Sequence, residues 1–441
     1  MGNYKSVRIG DVCTITKGET GIASAIPGKY PLVTTGANRK TSNTYQFDAE
    51  AVCIPLVSST GHGKKTLNYV HLERGKFALG TILAALIPKN PTELSAEYLH
   101  LYLRFYKNRK IVSLMKGAAN VSLSIKDITK IEVNLPSISE QRSWVNFYKK
   151  FNSSFNYLQE EFSLQSTDLK FLRQSILQEA IEGKLTSDWR NKNPVKKGDP
   201  ETDASALLDK IKQEKQKLIA QDKIKKDKPL PPIKPDEIPF QIPIGWLWSK
   251  LGGICEKIHY GFNASAKPEK KDVRLLRITD IQDNIVNWDT VPGCDYSATD
   301  LINYQLKKND IVIARTGGTI GKTFLVKYIP VKSLFASYLI RVVPSSFVLV
   351  EYLKLFLESP TYWKQLYKAA WGAAQPNVNG TSLSNLHLPF PPLAEQREIV
   401  EQVDRLIGIV DELEKEATLR EILSENLMQS VLKEAFEGGG N

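Results

Sequence analysis

The chain has 441 residues, of which 42% are hydrophobic, so it exceeds one ordinary hydrophobic core and should form two or more domains. Its 59 Lys and Arg outnumber its 48 Asp and Glu, and the net charge of +11 fits either a nucleic-acid partner or a solvated basic surface. It has no apolar run of membrane-spanning length and no signal peptide, so we expect a cytoplasmic protein without membrane contact. Its four cysteines are widely spaced, which predicts free thiols and no metal site.

Residues 1–137 are predicted to form a mixed α/β domain. Short apolar runs at 30–35 and 51–57 predict buried strands, and the three-to-four-residue spacing of apolar side chains at 97–106 predicts a helix. Apolar residues then alternate over 131–135, which predicts a closing strand with one buried face.

Two loops of this domain combine amide, hydroxyl and basic side chains. The first spans 36–43, and the second spans 58–65 directly after a predicted strand. Asn can bond adenine through two hydrogen bonds, and Arg or Lys can bond guanine, although any surface loop also favours these residue types. The candidate DNA-binding residues of this domain are Asn38, Arg39, Lys40, Ser58, Ser59, Thr60, His62, Lys64 and Lys65.

A long amphipathic helix is predicted over 138–185. Pro136 ends the preceding strand, and apolar residues then recur at steps of three, four and seven from Trp144 to Ile176, which is a heptad pattern. Gly183 is a suitable terminator. About 40 helical residues would span about 60 Å.

Residues 186–245 differ from the preceding segments in composition. They contain a charged amphipathic stretch at 204–218, which predicts a helix, and a Pro-rich stretch at 227–243, which predicts an extended chain. Their acidic and basic residues are mixed, so a solvated linker explains this segment as well as a binding tail would.

A second mixed α/β domain is predicted over 246–392, followed by a second long helix over 393–438. Apolar runs at 273–281 and 310–315 predict strands, and 351–360 predicts a helix. The alternating residues Leu386, Leu388 and Phe390 predict the closing strand.

The loops after two of these strands are the second set of candidates for DNA contact. RTGGTIGKT (315–323) lacks the Walker pattern because Thr316 stands where glycine is required, so nucleotide hydrolysis is only a rival hypothesis. Its backbone N–H groups can still approach a phosphate, and Lys322 is interpreted as the counterpart of Lys64. The candidates here are Tyr260, Asn263, Lys267, Arg315, Thr316, Thr319 and Lys322.

The chain contains an internal repeat. Residues 115–183 align with 370–438 without a gap, and Glu140-Gln141-Arg142 aligns with Glu395-Gln396-Arg397. Two copies of a module of about 180 residues therefore make up the chain. The two long helices are expected to pair antiparallel and to separate the domains with pseudo-twofold symmetry, although each could instead dock on its own domain.

The chain resembles the specificity (S) subunits of type I restriction-modification systems over nearly all of its length. The resemblance depends on the repeated Pro…Glu-Gln-Arg junction, the paired long helices, EGKLTSDWR (182–190), IPIGWLWSKLGGI (242–254) and IVIARTGGTIGK (311–322). The first domain departs from the family pattern, since it has IPLVSSTGHGK (54–64) at the corresponding place.

The resemblance implies an α+β fold in which two target recognition domains are separated by two long antiparallel coiled-coil helices. Each domain would bind one half of a bipartite double-stranded DNA target. The helices would set the spacing and dock two methylation subunits, and motor/endonuclease subunits would complete the complex. The chain itself would have no catalytic residues and no cofactor, with S-adenosylmethionine, ATP and Mg on the partner subunits. The expected docking residues are Glu140, Gln141, Arg142, Glu395, Gln396 and Arg397. The alternative is a coiled-coil scaffold that does not recognise DNA.

Overall fold

A computed structural model describes residues 4–60, 63–370 and 377–437 as a mixed α/β protein. The chain divides into a first unit, Met1–Leu164 with Ala417–Asn441, and a second unit, Gln165–Glu416. Both boundaries fall inside long helices. Each unit therefore contains one globular part together with part of each long helix.

The first unit has a run of strands, β2 to β9, between its helices α1 and α2. Its strands are β1 (Lys5–Arg8), β2 (Cys13–Lys17), β3 (Tyr30–Val33), β4 (Lys40–Ser42), β5 (Phe47–Asp48), β6 (Ala51–Pro55), β7 (His71–Glu73), β8 (Lys76–Leu79), β9 (Leu83–Pro88) and β10 (Glu132–Leu135). Its helices are α1 (Ile9–Val12), α2 (Ala96–Phe105), α3 (Ile125–Ile128) and the first part of α4 (Ile138–Ile181), with short π and 3₁₀ turns at Lys107–Ile111 and Val112–Leu114.

The second unit repeats this order after two helices from the linker, α5 (Ser187–Lys192) and α6 (Ala204–Ala220). Its strands are β11 (Leu247–Lys250), β12 (Cys255–Tyr260), β13 (Arg274–Leu276), β14 (Ile281–Gln282), β15 (Ile285–Val286), β16 (Ile311–Ala314), β17 (Thr323–Leu325), β18 (Ser333–Phe335), β19 (Leu339–Pro344) and β20 (His387–Phe390). Its other helices are α7 (Leu251–Ile254), α8 (Ala298–Tyr304), α9 (Val350–Phe356), α10 (Pro360–Ala370), α11 (Gly380–Ser384) and α12 (Leu393–Glu437), with 3₁₀ turns at Pro235–Glu237, Ile278–Asp280 and Gly317–Thr319.

The strand order confirms that the chain is a duplication. The first unit has a sheet in the order β2-β9-β6-β7, and the second unit has β12-β19-β16-β17. The parallel pair β3–β8 has its counterpart in β13–β18, and the antiparallel pair β1–β10 in β11–β20. The central strands β6 and β16 are buried along their whole length, as expected for apolar runs without alternation.

The long helices begin where Pro136 and Pro391 predict, at Ile138 and Leu393. The predicted terminator of α4 is confirmed: α4 ends at Ile181, and Gly183 adopts the left-handed conformation, with φ +73°, that glycine tolerates. The predicted second terminator, Gly438, lies outside the described residues.

The two long helices run antiparallel within each unit. In the first unit Gln159 Nε2 donates to Ser424 Oγ at 3.1 Å. In the second unit Arg173 forms ion pairs with Asp411 and Glu414. A higher number on α4 therefore meets a lower number on α12, as antiparallel pairing requires.

The same helices also dock on the globular parts. Val145 and Phe436 are buried in the core of the first unit, where Phe436 lies among the rings of Tyr98 and Tyr102. Pairing and docking, expected as alternatives, therefore occur together.

The heptad pattern is only partly buried. Ile176, Val403 and Val410 are inside, but the predicted seam residues Leu158, Leu172, Leu413 and Leu427 are 39–56% exposed. On a straight helix, equivalent heptad positions rotate by about 20° per heptad around the helix axis. The seam residues therefore move out of the helix–helix interface unless the helices supercoil.

The interpretation of 186–245 as a solvated linker is wrong for helix α6. Ala204, Leu207 and Ile211 are buried, and Lys215 Nζ donates to the carbonyl oxygens of Gly252 (3.2 Å) and Cys255 (3.0 Å). This helix is packed into the second unit because its apolar stripe faces α7.

Candidate nucleic-acid interface

Three strand ends meet in the second unit and bring two candidate residues into contact. β19 lies between β12 and β16, and Leu339 at its start pairs with Ala314 at the end of β16. Tyr260 ends β12, and Arg315 follows β16. The Arg315 guanidinium consequently lies over the Tyr260 ring, 4.7 Å from its centre.

Hydrogen bonds fix both residues. The Arg315 N–H donates to Tyr338 O at 3.1 Å, and Arg315 O accepts from the N–H of Val378 at 3.0 Å. The Tyr260 hydroxyl accepts from the N–H of Gly380 at 3.0 Å. Val378 and Gly380, which the sequence did not indicate, therefore help to build this site.

The loop 315–322 is a closed turn. Ala314 and Lys322 are joined by a hydrogen bond of 2.9 Å, and Gly317 has φ +78°. A Cβ at Gly317 or Gly318 would meet no atom within 4 Å, so both glycines face open space. Thr316 and Thr319 are half-buried, and Lys322 is exposed. A phosphate could approach this backbone closely.

The other candidate loop of this unit presents less free charge than expected. Lys267 forms an ion pair with Asp295, as does Lys270, while Asn263 is exposed. Hydrogen bonds from these two lysines lower the pKa of Asp295 to about 2. Lys267 and Lys270 therefore share one carboxylate, which reduces the positive charge of this loop.

In the first unit, Arg39 is used inside the protein. Its guanidinium binds the carboxylate of Glu73, which is nearly buried, and Nη1 donates to Ala37 O at 3.1 Å. Because a buried carboxylate needs a counter-charge, Arg39 holds the loop through Glu73, and its DNA contact stays a prediction. Asn38 and Lys40 stay exposed on either side of it.

His71 belongs to the same cluster, which the sequence did not indicate. Its Nδ1 lies 3.1 Å from Arg39 Nη1. Burial, and then the positive charge of Arg39, lower the pKa of His71 to about 4. The imidazole is therefore neutral at pH 7.

The hydroxyl groups of loop 58–65 hold the loop itself together. Ser58 Oγ donates to Lys64 O at 2.6 Å, Ser59 Oγ accepts from the N–H of Asn68 at 2.9 Å, and Thr60 Oγ1 lies 2.8 Å from Thr66 Oγ1. The hydroxyl groups of these three predicted DNA-binding residues therefore form hydrogen bonds within or next to the loop. Lys64 and Lys65 are exposed, and His62 lies outside the described residues.

The predicted equivalence of Lys64 and Lys322 is wrong. Lys322 directly precedes Thr323, the partner of Ile313 in the sheet. Lys64 lies seven residues before His71, which is the partner of Cys53. The loop between β6 and β7 is longer than the loop between β16 and β17. Counting residues from the preceding strand therefore matches lysines that are not equivalent in the sheet register.

The glutamine of each Glu-Gln-Arg motif is fully buried. Gln141 Nε2 donates to Pro136 O at 2.9 Å and to Glu93 O at 2.7 Å, and its Oε1 accepts from the N–H of Ser95 at 2.9 Å. Gln396 makes the corresponding bonds to Pro391 O and the N–H of Leu349, both at 2.9 Å. Each glutamine joins a long helix to the first turn of α2 or α9. Their amides are used inside the protein, and their role in partner docking stays a prediction.

The two glutamates of the motifs differ from each other. Glu140 is exposed and accepts from the Ser137 N–H (2.9 Å) and hydroxyl (2.6 Å), and these bonds lower its pKa. Glu395 is buried and accepts from Thr186 Oγ1 (2.7 Å), Trp246 Nε1 (2.6 Å) and Arg190. Glu395 therefore connects the linker to α12, and its docking role also stays a prediction.

The arginines of the motifs are both exposed. Arg397 forms an ion pair with Glu201 at 2.7 Å, whereas Arg142 extends from the first turn of α4. Together with Glu140, these side chains are the predicted docking residues that a partner could reach.

A cleft of about 1250 Å³ lies in the second unit beside the loop 315–322. The hairpin β14–β15, helix α9 and the neighbouring stretches of α4 and α12 form its other walls. Tyr328 and Tyr338, which are 69% and 63% exposed, line it, and sequence analysis missed both. Their only sequence signal is an aromatic residue next to a strand end.

Within the described ranges, no group of three or more His, Cys, Asp and Glu could hold a metal ion. The four cysteines are free and buried. Over the same residues, no helix has the length and apolar character needed to cross a membrane.

Comparisons with known proteins agree on one family. The model of the type I restriction modification DNA specificity domain matches residues 1–162 and 243–424. The EcoAI specificity subunit of Escherichia coli is 31% identical over 286 residues, 64% of this chain and 45% of that subunit. The EcoEI specificity subunit of Escherichia coli is 26% identical over 292 residues, 64% of this chain and 48% of that subunit. The chain thus spans about half the length of these curated relatives.

Two solved structures share the fold. One is a chain from a solved structure that describes complex assembly and conformational transition of the type I R-M system. It aligns with TM-score 0.64 and 17% identity, covering 99% of this chain and 98% of that one. The HsdS subunit from Thermoanaerobacter tengcongensis aligns with TM-score 0.54 and 17% identity, covering 99% and 97%.

Proposed function

Since the chain belongs to the family of type I restriction modification DNA specificity domains, we propose that it is the DNA-recognition subunit of a type I restriction-modification complex. Each globular part binds one half of a bipartite double-stranded DNA target. The observation that supports this most is the duplicated strand order, which gives each unit its own set of strand-exit loops. Two similar surfaces in one chain suit a target made of two separate parts.

Residues that remain exposed on these loops provide the contacts. They are Asn38, Lys40, Lys64 and Lys65 in the first unit, and Tyr260, Asn263 and Lys322 in the second. Lysines neutralise phosphates and make the affinity depend on salt, whereas amides and arginine discriminate between bases. The net charge of +11 favours such a partner.

The long helices set the spacing between the two half-sites and dock two methylation subunits. Antiparallel contacts between the long helices occur in both units, at Gln159–Ser424 and at Arg173–Asp411, which supports their pairing. Apolar residues on these helices stay exposed and could be covered by partner helices. They include Leu164, Leu419, Ile422 and Leu423 in the first unit and Phe171 and Ile409 in the second.

The chain contributes recognition and not chemistry. Methyl transfer from S-adenosylmethionine occurs on the methylation subunits, and ATP and Mg are used by motor/endonuclease subunits. The loop 315–323 supports this division, because Thr316 stands where a nucleotide-binding loop requires glycine.

Purification of the chain with its co-expressed methylation partner, followed by mapping of methylated sites on a random DNA library, tests the proposal. A single motif of two short blocks separated by a fixed unspecified gap is the expected result. Methylation without any sequence preference, or a motif in one continuous block, would contradict it.

A further inference from the structure

Arg315 differs from most arginines whose guanidinium groups are partly buried; Arg274 also lacks an ion pair, but its Nη1 donates to Val291 O at 2.9 Å. Arg39, Arg173, Arg190, Arg277 and Arg341 each form an ion pair with a carboxylate. Among the ion pairs of the described residues none includes Arg315, and its Nε is buried without a hydrogen-bond partner. A cation that loses hydration without gaining an anion is unfavourable. The arrangement therefore favours a ligand that supplies acceptors to the remaining N–H groups.

The guanidinium is also fixed in orientation before any ligand arrives. The Tyr260 ring covers one face at 4.7 Å, and the Tyr260 hydroxyl is itself held by the N–H of Gly380 at 3.0 Å. The backbone of Arg315 is bonded on both sides, to Tyr338 and Val378. Because Nε is buried, Nη1 and Nη2 are the donors that Arg315 can offer to a ligand, and no hydrogen bond among the described residues uses them. A fixed planar fork suits two acceptors that lie side by side.

We propose that Arg315 recognises a guanine in the half-site bound by the second unit, and that Tyr260 is its positioning residue. This inference rests on the proposed DNA-recognition function. In the major groove guanine presents O6 and N7 as adjacent acceptors, while adenine and thymine each present one acceptor and cytosine presents a donor. The fork of Arg315 matches that pair, and stacking on Tyr260 reduces the entropy that is lost on binding.

Arginine can also bond a phosphate through two N–H groups, so the shape of the fork alone does not separate phosphate from guanine. Lys322 on the same loop already offers an exposed charge for the DNA backbone, which leaves Arg315 for a base. The loop therefore divides the two tasks: Lys322 neutralises backbone, and Arg315 selects a base. Lys322→Ala is accordingly the matched control for Arg315→Ala, because both remove one positive charge from the same loop.

The test uses the chain assembled with its methylation partner and a DNA library randomised across both half-sites. Binding of each variant is measured at several salt concentrations. For Arg315→Ala we expect preference for one G·C pair in one half-site to fall by about 5- to 150-fold, while all other positions and the other half-site keep their preferences. Arg315→Lys should weaken the same preference by a smaller factor and retain more affinity, because lysine can still bond guanine but lacks the fixed fork. If Arg315→Ala does not assemble, Arg315→Lys alone decides the question.

The role of Tyr260 is tested by two substitutions at that position. Tyr260→Leu should weaken preference at the same G·C pair as Arg315→Ala, and Tyr260→Phe should restore most of it because the ring remains. Lys322→Ala should lower affinity equally for every sequence. It should also reduce the slope of log affinity against log salt concentration by about one.

Three results would overturn the inference. Arg315→Ala could behave as Lys322→Ala, which would make it a phosphate contact; it could leave the selected sequence unchanged; or the wild-type complex could select no G·C pair in that half-site. Failure of the proposed function has a different signature, since the wild-type complex would then select no bipartite target at all.

Discussion

Gln141 and Gln396 occupy the same place in the two units and make the same pair of hydrogen bonds. Each donates to the carbonyl oxygen of the proline before its long helix and accepts from the backbone N–H at the start of α2 or α9. The repeated motif is therefore explained by architecture: it couples the direction of each long helix to its own globular part.

Gln396→Ala should destabilise the second unit by about 2–4 kcal/mol. It leaves the N–H of Leu349 and the carbonyl of Pro391 without partners, and an unpaired buried polar group costs about 1–3 kcal/mol. Chemical denaturation, combined with amide exchange at Leu349, measures the effect. Arg397→Ala is the control and should cost less than about 1 kcal/mol, since its ion pair with Glu201 is exposed. Equal losses in the two variants would show that Gln396 does not couple the helix.

Arg39→Ala should destabilise the first unit by about 1–3 kcal/mol. It strands the Glu73 carboxylate, and the loss is smaller than the 3–5 kcal/mol of a fully buried pair because Arg39 is 28% exposed. Glu73→Gln added to Arg39→Ala should recover stability, because a neutral amide needs no counter-charge. Lys40→Ala is the matched control, with no expected change in the denaturation midpoint. If the double variant were less stable than Arg39→Ala, the pairing would not explain the loss.

The stability of the first unit should fall as the pH is lowered from about 6.5 to about 4. His71 has a folded pKa of about 4, below its ordinary value of 6.5, so in this range the unfolded chain binds a proton that the folded chain does not. This linkage amounts to about 3 kcal/mol at most. The difference in denaturation midpoint between pH 7 and pH 5 should shrink in His71→Gln. An unchanged difference would assign the pH dependence to other groups, such as His100, whose pKa is also lowered by burial.

Leu207→Ala in helix α6 should destabilise the second unit by about 2–4 kcal/mol, because Leu207 is fully buried there. The exposed Lys212 of the same helix provides the control, and Lys212→Ala should change stability by less than about 0.5 kcal/mol. Thermal unfolding and the rate of proteolysis within 204–220 report both. A free linker would instead be cleaved equally fast in the wild type and in both variants.

Local patterns predicted the features that depend on neighbouring residues. Proline followed by a heptad pattern located the starts of α4 and α12, and matched residues at an offset of 255 predicted the duplication. The first signal is local, because proline and helix geometry act on neighbouring residues. The second needs only the comparison of two short stretches of sequence.

Features that depend on distant partners were not predictable. Arg39 is indistinguishable from a free surface cation until Glu73, 34 residues away, is brought beside it. Leu207 and Ile211 form a narrow stripe on a charged helix, and nothing in that stripe specifies α7 as its partner. The equivalence of Lys64 and Lys322 failed because strand register, and not loop position, decides which residues correspond.

The most direct test of split recognition is a chimera in which residues 246–392 are replaced by the corresponding part of another family member with a different target. Methylated sites are mapped after assembly with the methylation partner. One half of the motif should change to that of the donor, while the other half and the gap stay as in the parent. A motif that stays the same, or one in which both halves change, would contradict recognition by two independent units.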